Sequence, residues 1–235
     1  AIRKIVHSIR AKAVQSFDPA PISAWLLGGT GTGKTEMGKI LARLLYGSRG
    51  KAIVFDFGQV QHQFDFSDFF SPPKGVMGSD QPGLFEEALM AYPEGAVFIF
   101  DEINAMGEFG GKESFFHKLY DILETGQWTS PRGKTYTLSK HLFILTGNIA
   151  EEALRRAPND DLKNEVWESL RSRSSLEELL LEEGIPEPFL NRISNIILMR
   201  PMSHSVKRRI IDQALTKVKR QLEETYRIEI VFEDS

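Results

Sequence analysis

The chain has 235 residues, of which 41% are hydrophobic and 26% charged, with a formal net charge of −3 and no cysteine. This length and composition suit one large domain with a small appendage, and the lack of cysteine excludes a disulfide framework and any cysteine-based metal site. The acidic balance argues against a general nucleic-acid-binding role, and no apolar run approaches the about 20 residues of a membrane span.

The amino-terminal segment, residues 1–14, has the spacing of an amphipathic helix. It lacks the apolar centre of a signal peptide, so we expect a cytoplasmic protein without a membrane segment. The first residue is alanine rather than methionine. We therefore also expect the sequence to be a piece of a longer protein.

Short apolar runs then alternate with helical patterns, which predicts an α/β fold with a parallel sheet covered by helices. Each run is apolar through most of its length, as is typical of strands buried on both faces. The predicted strands are Ile22–Leu27, Ala52–Asp56, Ala96–Phe100, Leu142–Thr146 and Ile196–Met199. The predicted helices cover residues 36–46, 83–91, 113–125 and 164–182, and a β-hairpin is predicted over Trp128–Leu138.

Two further sets of residues have a structural interpretation. Residues 55–70 carry six phenylalanines, for which core packing of a helix on the sheet is favoured over a recognition surface. His62, His117 and His141 lack the spacing of metal ligands and are interpreted as structural or exposed.

The pattern of the chain changes after Met199. Ser203 is predicted to be a helix N-cap, and residues 206–224 have the spacing of one amphipathic helix. We therefore divide the chain into a large domain over residues 1–199 and the start of a small, truncated domain over residues 200–235.

The most informative motif is GGTGTGKT at residues 28–35, which fits G-x-x-x-x-G-K-[ST] between a predicted strand and a predicted helix. Glycines let backbone N–H groups approach phosphate oxygens, and a helix N-terminus favours anions. Lys34 adds a positive charge at the β- and γ-phosphates, and Thr35 offers a hydroxyl to Mg²⁺. The predicted nucleotide-binding residues are Gly28, Gly29, Thr30, Gly31, Thr32, Gly33, Lys34, Thr35 and Glu36.

Polar side chains also follow two other predicted strands. Asp101 and Glu102 end the segment VFIFDE, and Asn148 follows LFILTG. Open α/β sheets bind ligands at the carboxyl ends of their strands. Asp101 is predicted to hold Mg²⁺ beside Thr35, and Glu102 to polarise the attacking water as a general base. The amide of Asn148 can donate to the γ-phosphate and accept from the attacking water.

With these three strand ends in order, the chain resembles the AAA+ ATPases, specifically the Clp-type unfoldases and disaggregases, and above all the second ATPase ring of the two-ring Clp chaperones. Residues 1–13 resemble the family's helix before the nucleotide loop, residues 97–102 its Walker B segment, and Asn148 its sensor 1 asparagine. The segment PEPFLNRI at residues 186–193 resembles the family's P-E-F-L-N-R-I box with an extra Pro188.

The resemblance implies a P-loop NTPase sheet between helices, followed by the start of a small C-terminal lid. It implies hydrolysis of ATP to ADP with Mg²⁺ in a homo-oligomeric ring, commonly a hexamer. The ring would remodel a protein substrate, and the question whether an adaptor or a protease is a further partner stays open. Arg192 matches the arginine finger, which stabilises the transferring phosphoryl group of a neighbouring subunit. The implied catalytic residues are Lys34, Glu102, Asn148 and Arg192, and the implied metal ligands are Thr35 and Asp101.

The chain departs from the family at the pore loop, which reads roughly P-P-G-Y-V-G and grips polypeptide with its aromatic residue. The matching stretch is PPKGVMG at residues 72–78, with Val76 at the position of the tyrosine. Valine lacks the broad, rigid surface of an aromatic ring. A second hypothesis therefore stays open, a nucleotide-gated assembly or interaction module that threads no polypeptide. A DNA-acting AAA+ ATPase is a third, against which the acidic charge and the PEPFLNRI box argue.

Overall fold

A computed structural model describes residues 2–14, 19–47, 51–58, 69–71, 75, 80–105, 112–151 and 160–227. The elements in chain order are α1 (Ile2–Val14), β1 (Ile22–Leu27), α2 (Lys34–Tyr46), β2 (Ala52–Asp56), α3 (Leu84–Ala91), β3 (Val97–Asp101), a 3₁₀ turn (Ile103–Ala105), α4 (Lys112–Thr125), β4 (Gln127–Thr129), β5 (Thr135–Thr137), β6 (Leu142–Gly147), α5 (Asp160–Ser169), α6 (Arg173–Glu182), α7 (Glu187–Leu190), β7 (Asn195–Leu198) and α8 (His204–Tyr226). The chain divides into two compact units, Ala1–Met199 and Arg200–Ser235.

Within the described part of the first unit, five parallel strands form one sheet in the order β2-β3-β6-β1-β7. Strands β1, β3 and β6 are buried along nearly their whole length, as expected for a sheet covered on both faces. The register of β1 with β6 places Leu27 opposite Gly147, and β3 pairs with the other side of β6. The segments that follow these three strands therefore meet at one edge of the sheet.

Aromatic side chains fill much of the core on one side of the sheet. Phe57, Phe69 and Phe70 are no more than 1% exposed, and Phe55 is 9% exposed. The rings of Phe55 and Phe69 meet edge to face with 4.9 Å between their centroids, an arrangement that aromatic pairs prefer. Core packing is thus confirmed for the described phenylalanines of this segment.

The predicted strands and the hairpin are confirmed, with shifts of about one residue at their ends. The single helix predicted over residues 164–182 is wrong, because the structure has two helices, α5 and α6. Ser172 separates them, and its hydroxyl accepts a hydrogen bond from the backbone N–H of Ser175 at 3.1 Å. A serine cap of this kind satisfies a free N–H group and begins a new helix.

The short helix α7 was not predicted, since Pro188 breaks the helical pattern of its segment. Proline is tolerated in the first turn of a helix, where its missing N–H has no partner in any case. Pro188 occupies such a position.

The second unit contains helix α8, which confirms the predicted helix with slightly wider bounds. The hydroxyl of Ser203 accepts from the backbone N–H of Val206 at 3.4 Å, as predicted for its N-cap. No residue of α8 is buried. The assignment of this unit as the start of a lid stays a prediction. In the ranges that the structure describes, no helix has the length and apolar character needed to cross a membrane.

Candidate active site

The segment after β1 is a tight loop that leads directly into α2. Gly28 and Gly33 have φ angles of 148° and 84°, which glycine adopts readily and other residues do not. A Cβ atom at Gly28 would also lie 2.6 Å from the carbonyl oxygen of Met199. The backbone path of the loop therefore requires glycine at both of these motif positions.

Lys34 begins α2 and folds back over the loop. Its Nζ donates to the carbonyl oxygens of Gly28 and Gly29, at 2.8 and 3.0 Å. Burial lowers the pKa of Lys34, while nearby carboxylates, first of all Asp101, act in the opposite direction. A partly desolvated ammonium at a helix N-terminus attracts anions, so the loop fits a phosphate group.

The other predicted loop residues lie around this lysine. Thr32 is buried, and its hydroxyl donates to the carbonyl oxygen of Gly29 at 2.8 Å. Thr30 and Gly31 are exposed at the tip of the loop, and Glu36 is exposed in the first turn of α2. The structure therefore places all nine predicted nucleotide-binding residues in one continuous loop and helix start.

The two predicted metal ligands are in direct contact. The hydroxyl of Thr35 donates to both carboxylate oxygens of Asp101, at 2.9 and 2.8 Å. Carboxylate and hydroxyl oxygens are hard ligands of the kind that Mg²⁺ prefers. Thr35 and Asp101 meet beside Lys34, whose positive charge attracts phosphate. This pair of ligands therefore fits a metal ion that is bound together with a phosphate chain.

Thr146 is a buried residue of this site that was not predicted as part of it. Its hydroxyl donates to Asp101 Oδ1 at 2.5 Å and accepts from the backbone N–H of Glu102 at 2.9 Å. It lies near the end of β6, next to β3. This position at a strand end is the sequence signal that could have identified Thr146 as a site residue. Thr146 holds the carboxyl end of β3 in place.

Glu102 has an unusual backbone conformation. Its φ angle is 56°, a region that few residues other than glycine occupy. Its exposed side chain extends towards Gly58, where an added Cβ atom would collide with Oε2 of Glu102. Strained backbone positions of this kind cluster at functional sites.

Asn148 follows β6 and is paired with a second asparagine that was not predicted to take part. Nδ2 of Asn104 donates to Oδ1 of Asn148 at 2.5 Å, and the backbone N–H of Asn148 donates to Oδ1 of Asn104 at 3.3 Å. Asn104 lies in the 3₁₀ turn just after Glu102. The predicted general base and the predicted sensor residue are thus connected through this turn.

Glu151 is an acidic neighbour of the loop that the sequence motifs did not indicate. Its carboxylate accepts a hydrogen bond from the backbone N–H of Thr30 at 2.8 Å, and a Cβ atom at Gly29 would lie 3.2 Å from Oε2 of Glu151. This carboxylate adds negative charge close to Lys34.

Arg192 lies at the other end of β1. Its carbonyl oxygen accepts from the hydroxyl of Ser23 at 3.3 Å, and its guanidinium forms an ion pair with Glu124. The phosphate loop begins after Leu27, four residues further along the strand, which corresponds to about 13 Å. The structure therefore does not bring Arg192 together with the other predicted catalytic residues. Val76 lies outside the described residues.

Comparisons with known proteins concern the fold and the family of this chain. The AAA domain family (Cdc48 subfamily) matches residues 20–196. Relatives include the chaperone protein ClpB of Clostridium perfringens, 32% identical over 222 residues that make up 92% of this chain and 24% of that protein. Another is the ATP-dependent Clp protease ATP-binding subunit ClpA homolog of Porphyra purpurea, 31% identical over 93% of this chain and 27% of that protein.

A solved structure, the ADP complex of Hsp104 from S. cerevisiae, has the same fold, with a TM-score of 0.72 at 24% identity, over 94% of this chain and 36% of that chain. The chain spans about a quarter of the length of the curated relatives it matches. The predicted P-loop α/β fold and the resemblance to Clp-type AAA+ proteins are both confirmed. The chain belongs to the AAA domain family of the Cdc48 subfamily, and its relatives include the Clp chaperones.

Proposed function

We propose that this chain is the ATP-hydrolysing module of a Clp-type chaperone that remodels protein substrates in the cytoplasm. One observation carries the proposal: the hydroxyl of Thr35 and the carboxylate of Asp101 meet beside Lys34 and the phosphate loop. Thr35 and Asp101 are 66 positions apart in the sequence, yet they come together as a metal–triphosphate site requires.

In this proposal the loop residues hold the phosphate groups of ATP through backbone N–H groups and the Lys34 ammonium. Mg²⁺, held by Thr35 and Asp101, would offset the charge that develops on the phosphates. Glu102 takes a proton from the attacking water, and Asn148 orients the reacting groups. ADP would be retained by the same loop until it is exchanged for ATP.

The position of Arg192 supports assembly into a ring. Its backbone lies at the end of β1 opposite to the phosphate loop. Its side chain is 40% exposed, and its guanidinium pairs with Glu124. An arginine there is unable to reach the loop of its own chain, but it is available to the loop of a neighbouring copy. We therefore propose a homo-oligomer, with a hexamer as the expected size, in which Arg192 acts in trans.

Threading of the protein substrate depends on the residue at the pore-loop position. Val76 replaces the aromatic residue with which the family grips polypeptide, and this favours the alternative of a nucleotide-gated assembly module. Translocation of a labelled unfolded polypeptide by the full-length protein separates the two. ATP-dependent threading would reject the alternative, whereas ATP turnover without threading would support it. Stimulation of turnover by nucleic acid would instead favour the DNA-acting hypothesis.

The nucleotide site is tested by replacing Lys34 in the full-length protein and titrating a fluorescent ATP analogue. Lys34→Ala should weaken binding by about tenfold or more, because a charge-assisted hydrogen bond contributes about 1.5–3 kcal/mol. Lys39→Ala is the matched control, since Lys39 is an exposed lysine of the same helix. Equal affinities of the two variants would overturn the assignment of the loop.

A further inference from the structure

We propose that Asn104 is a positioning residue that sets the orientation of the Asn148 amide and directs the Asn148 NH₂ group towards the reacting phosphate. The proposal rests on the function proposed above. It concerns a residue of the 3₁₀ turn after β3, which none of the sequence motifs includes.

The hydrogen bonds between the two residues determine both amide orientations. The backbone N–H of Asn148 is always a donor, so the Asn104 atom that lies 3.3 Å from it must be the side-chain oxygen. The NH₂ group of Asn104 therefore faces the Asn148 side chain, and the atom that it meets at 2.5 Å must be an acceptor. A rotated Asn148 amide would place two NH₂ groups against each other.

The surroundings of Asn104 keep this arrangement in place. Asn104 is half-buried, and a Cβ atom at Gly147 would lie 3.0 Å from its side-chain oxygen. Two residues earlier, the backbone N–H of Glu102 donates to Thr146 at 2.9 Å. The turn after β3 is thus joined at two points to β6 and to the segment that follows it, which ties the backbone of Glu102 to the strand that precedes Asn148.

The consequence for catalysis is that Asn148 acts as a hydrogen-bond donor. Its oxygen is engaged by Asn104, so the group that it presents elsewhere is NH₂. A preorganised donor stabilises the negative charge that develops in a transition state, and removal of one such donor costs about 10²–10³ in kcat in a well-studied protease. Misorientation of the amide should lower kcat in the same way and affect nucleotide binding much less.

Asn104→Asp in the full-length protein tests this directly. The new carboxylate has the same shape and still accepts from the Asn148 backbone, but it offers no donor to the Asn148 oxygen. The Asn148 amide then rotates its NH₂ towards the carboxylate. We expect kcat to fall by about tenfold or more, with the KM and Kd for ATP changed by less than about twofold.

Four further variants complete the experiment. Asn104→Ala should lower kcat by a similar factor, and it replaces Asn104→Asp in the experiment if that variant does not fold. Asn195→Asp alters another half-buried asparagine, which donates to Ser8 at 2.9 Å, and should leave kcat unchanged. Asn148→Ala should hydrolyse ATP slowly. Adding Asn104→Asp to it should lower kcat no further, since the effects of substitutions at coupled residues are not additive.

The outcomes separate the two proposals. Turnover of Asn104→Asp within twofold of wild type, while Asn148→Ala is slow, would overturn the role of Asn104 and leave the proposed function intact. Additive losses of kcat in the double variant, or a normal kcat of Asn148→Ala, would also overturn the role of Asn104. An absence of ATP turnover in the wild-type protein would overturn both proposals.

Discussion

Arg192 and Glu124 form an ion pair within this chain, and the Arg192 guanidinium also lies 5.7 Å from the centre of the Tyr120 ring. The two charged side chains are 40% and 42% exposed, so water screens their attraction, and exposed pairs of this kind contribute only about 0–1 kcal/mol. The pair is therefore weak enough for Arg192 to exchange Glu124 for a phosphate group, as its proposed role in a neighbouring subunit requires.

Mixed rings test whether Arg192 acts in trans. Arg192→Ala and Glu102→Gln should each lower ATP turnover strongly on their own, the former by about 10³-fold or more. A ring that contains both variants has interfaces where an intact Glu102 meets an intact Arg192, so turnover should partly recover on mixing. The measurement is phosphate release against mixing ratio.

The matched control for this experiment is Glu124→Gln. It removes the intrachain partner of Arg192 and should leave turnover within about threefold of wild type and the free energy of unfolding within about 1 kcal/mol. If the mixed rings remain as slow as the separate variants, the arginine does not act across subunits.

Gly58→Ala should impair catalysis without destabilising the fold. An added Cβ atom would collide with Oε2 of Glu102, and the exposed Glu102 side chain can avoid it only by leaving its position. We expect turnover to fall by about tenfold or more, since misplaced general bases lose their contribution of about 10²–10⁴. Chemical denaturation should show a change in the free energy of unfolding below about 1 kcal/mol. Normal turnover in Gly58→Ala would show that the position of Glu102 in this structure is not the catalytic one.

Tyr136→Phe should destabilise the protein at neutral pH. Glu86 is fully buried, accepts from the hydroxyl of Tyr136 at 2.9 Å and pairs with Arg132 at 2.9 Å. Burial raises the pKa of Glu86, but the hydrogen bonds from Arg132 and Tyr136 outweigh it and leave that pKa below 4.5. Removal of a donor from a buried charged group costs about 1–3 kcal/mol.

The pH dependence of this loss has a definite sign. Because the pKa of Glu86 is lower in the folded than in the unfolded protein, its stabilising effect is present above pH 4.5 and is lost as the pH falls through the folded-state pKa. The difference between wild type and Tyr136→Phe in urea unfolding should therefore shrink on acidification. A difference that grows at low pH would contradict the role of an ionised Glu86.

Glu151→Gln should bind ATP more tightly than wild type. The Glu151 carboxylate accepts from the backbone N–H of Thr30 at 2.8 Å, and it adds negative charge where the phosphates would bind. Glutamine keeps an acceptor for Thr30 and removes the charge. We expect affinity to rise about threefold at low salt and the gain to shrink as salt is added, measured by calorimetry. Weaker binding by Glu151→Gln would show that the carboxylate supports nucleotide binding instead of opposing it.

The parts of the site that could be predicted from the sequence are those encoded by local spacing. The loop motif is continuous from Gly28 to Thr35, and Asp101 and Asn148 each follow an apolar run of strand length. A parallel sheet brings such strand ends to one edge whatever the order of its strands. This is why the sequence alone predicts that Thr35 and Asp101 form a pair.

The residues that were missed depend on contacts between distant segments. Asn104 and Thr146 form hydrogen bonds with residues that are 44 and 45 positions away, and Glu151 contacts Thr30 across 121 positions. Register within the sheet decides these contacts, and sequence spacing does not reveal register. The break between α5 and α6 was missed for a local reason, because Ser172 is compatible with a helix interior as well as with an N-cap.

Glu102→Gln in the full-length protein is the decisive variant for the proposal that the Asp101–Glu102 strand end and the phosphate loop hydrolyse ATP. The measurement is steady-state phosphate release together with the Kd for ATP. Glu102→Gln should bind ATP as tightly as wild type and hydrolyse it about 10²-fold or more slowly, because it loses the contribution of a general base. Unchanged turnover in Glu102→Gln would show that this strand end does not activate water and would reject the assignment.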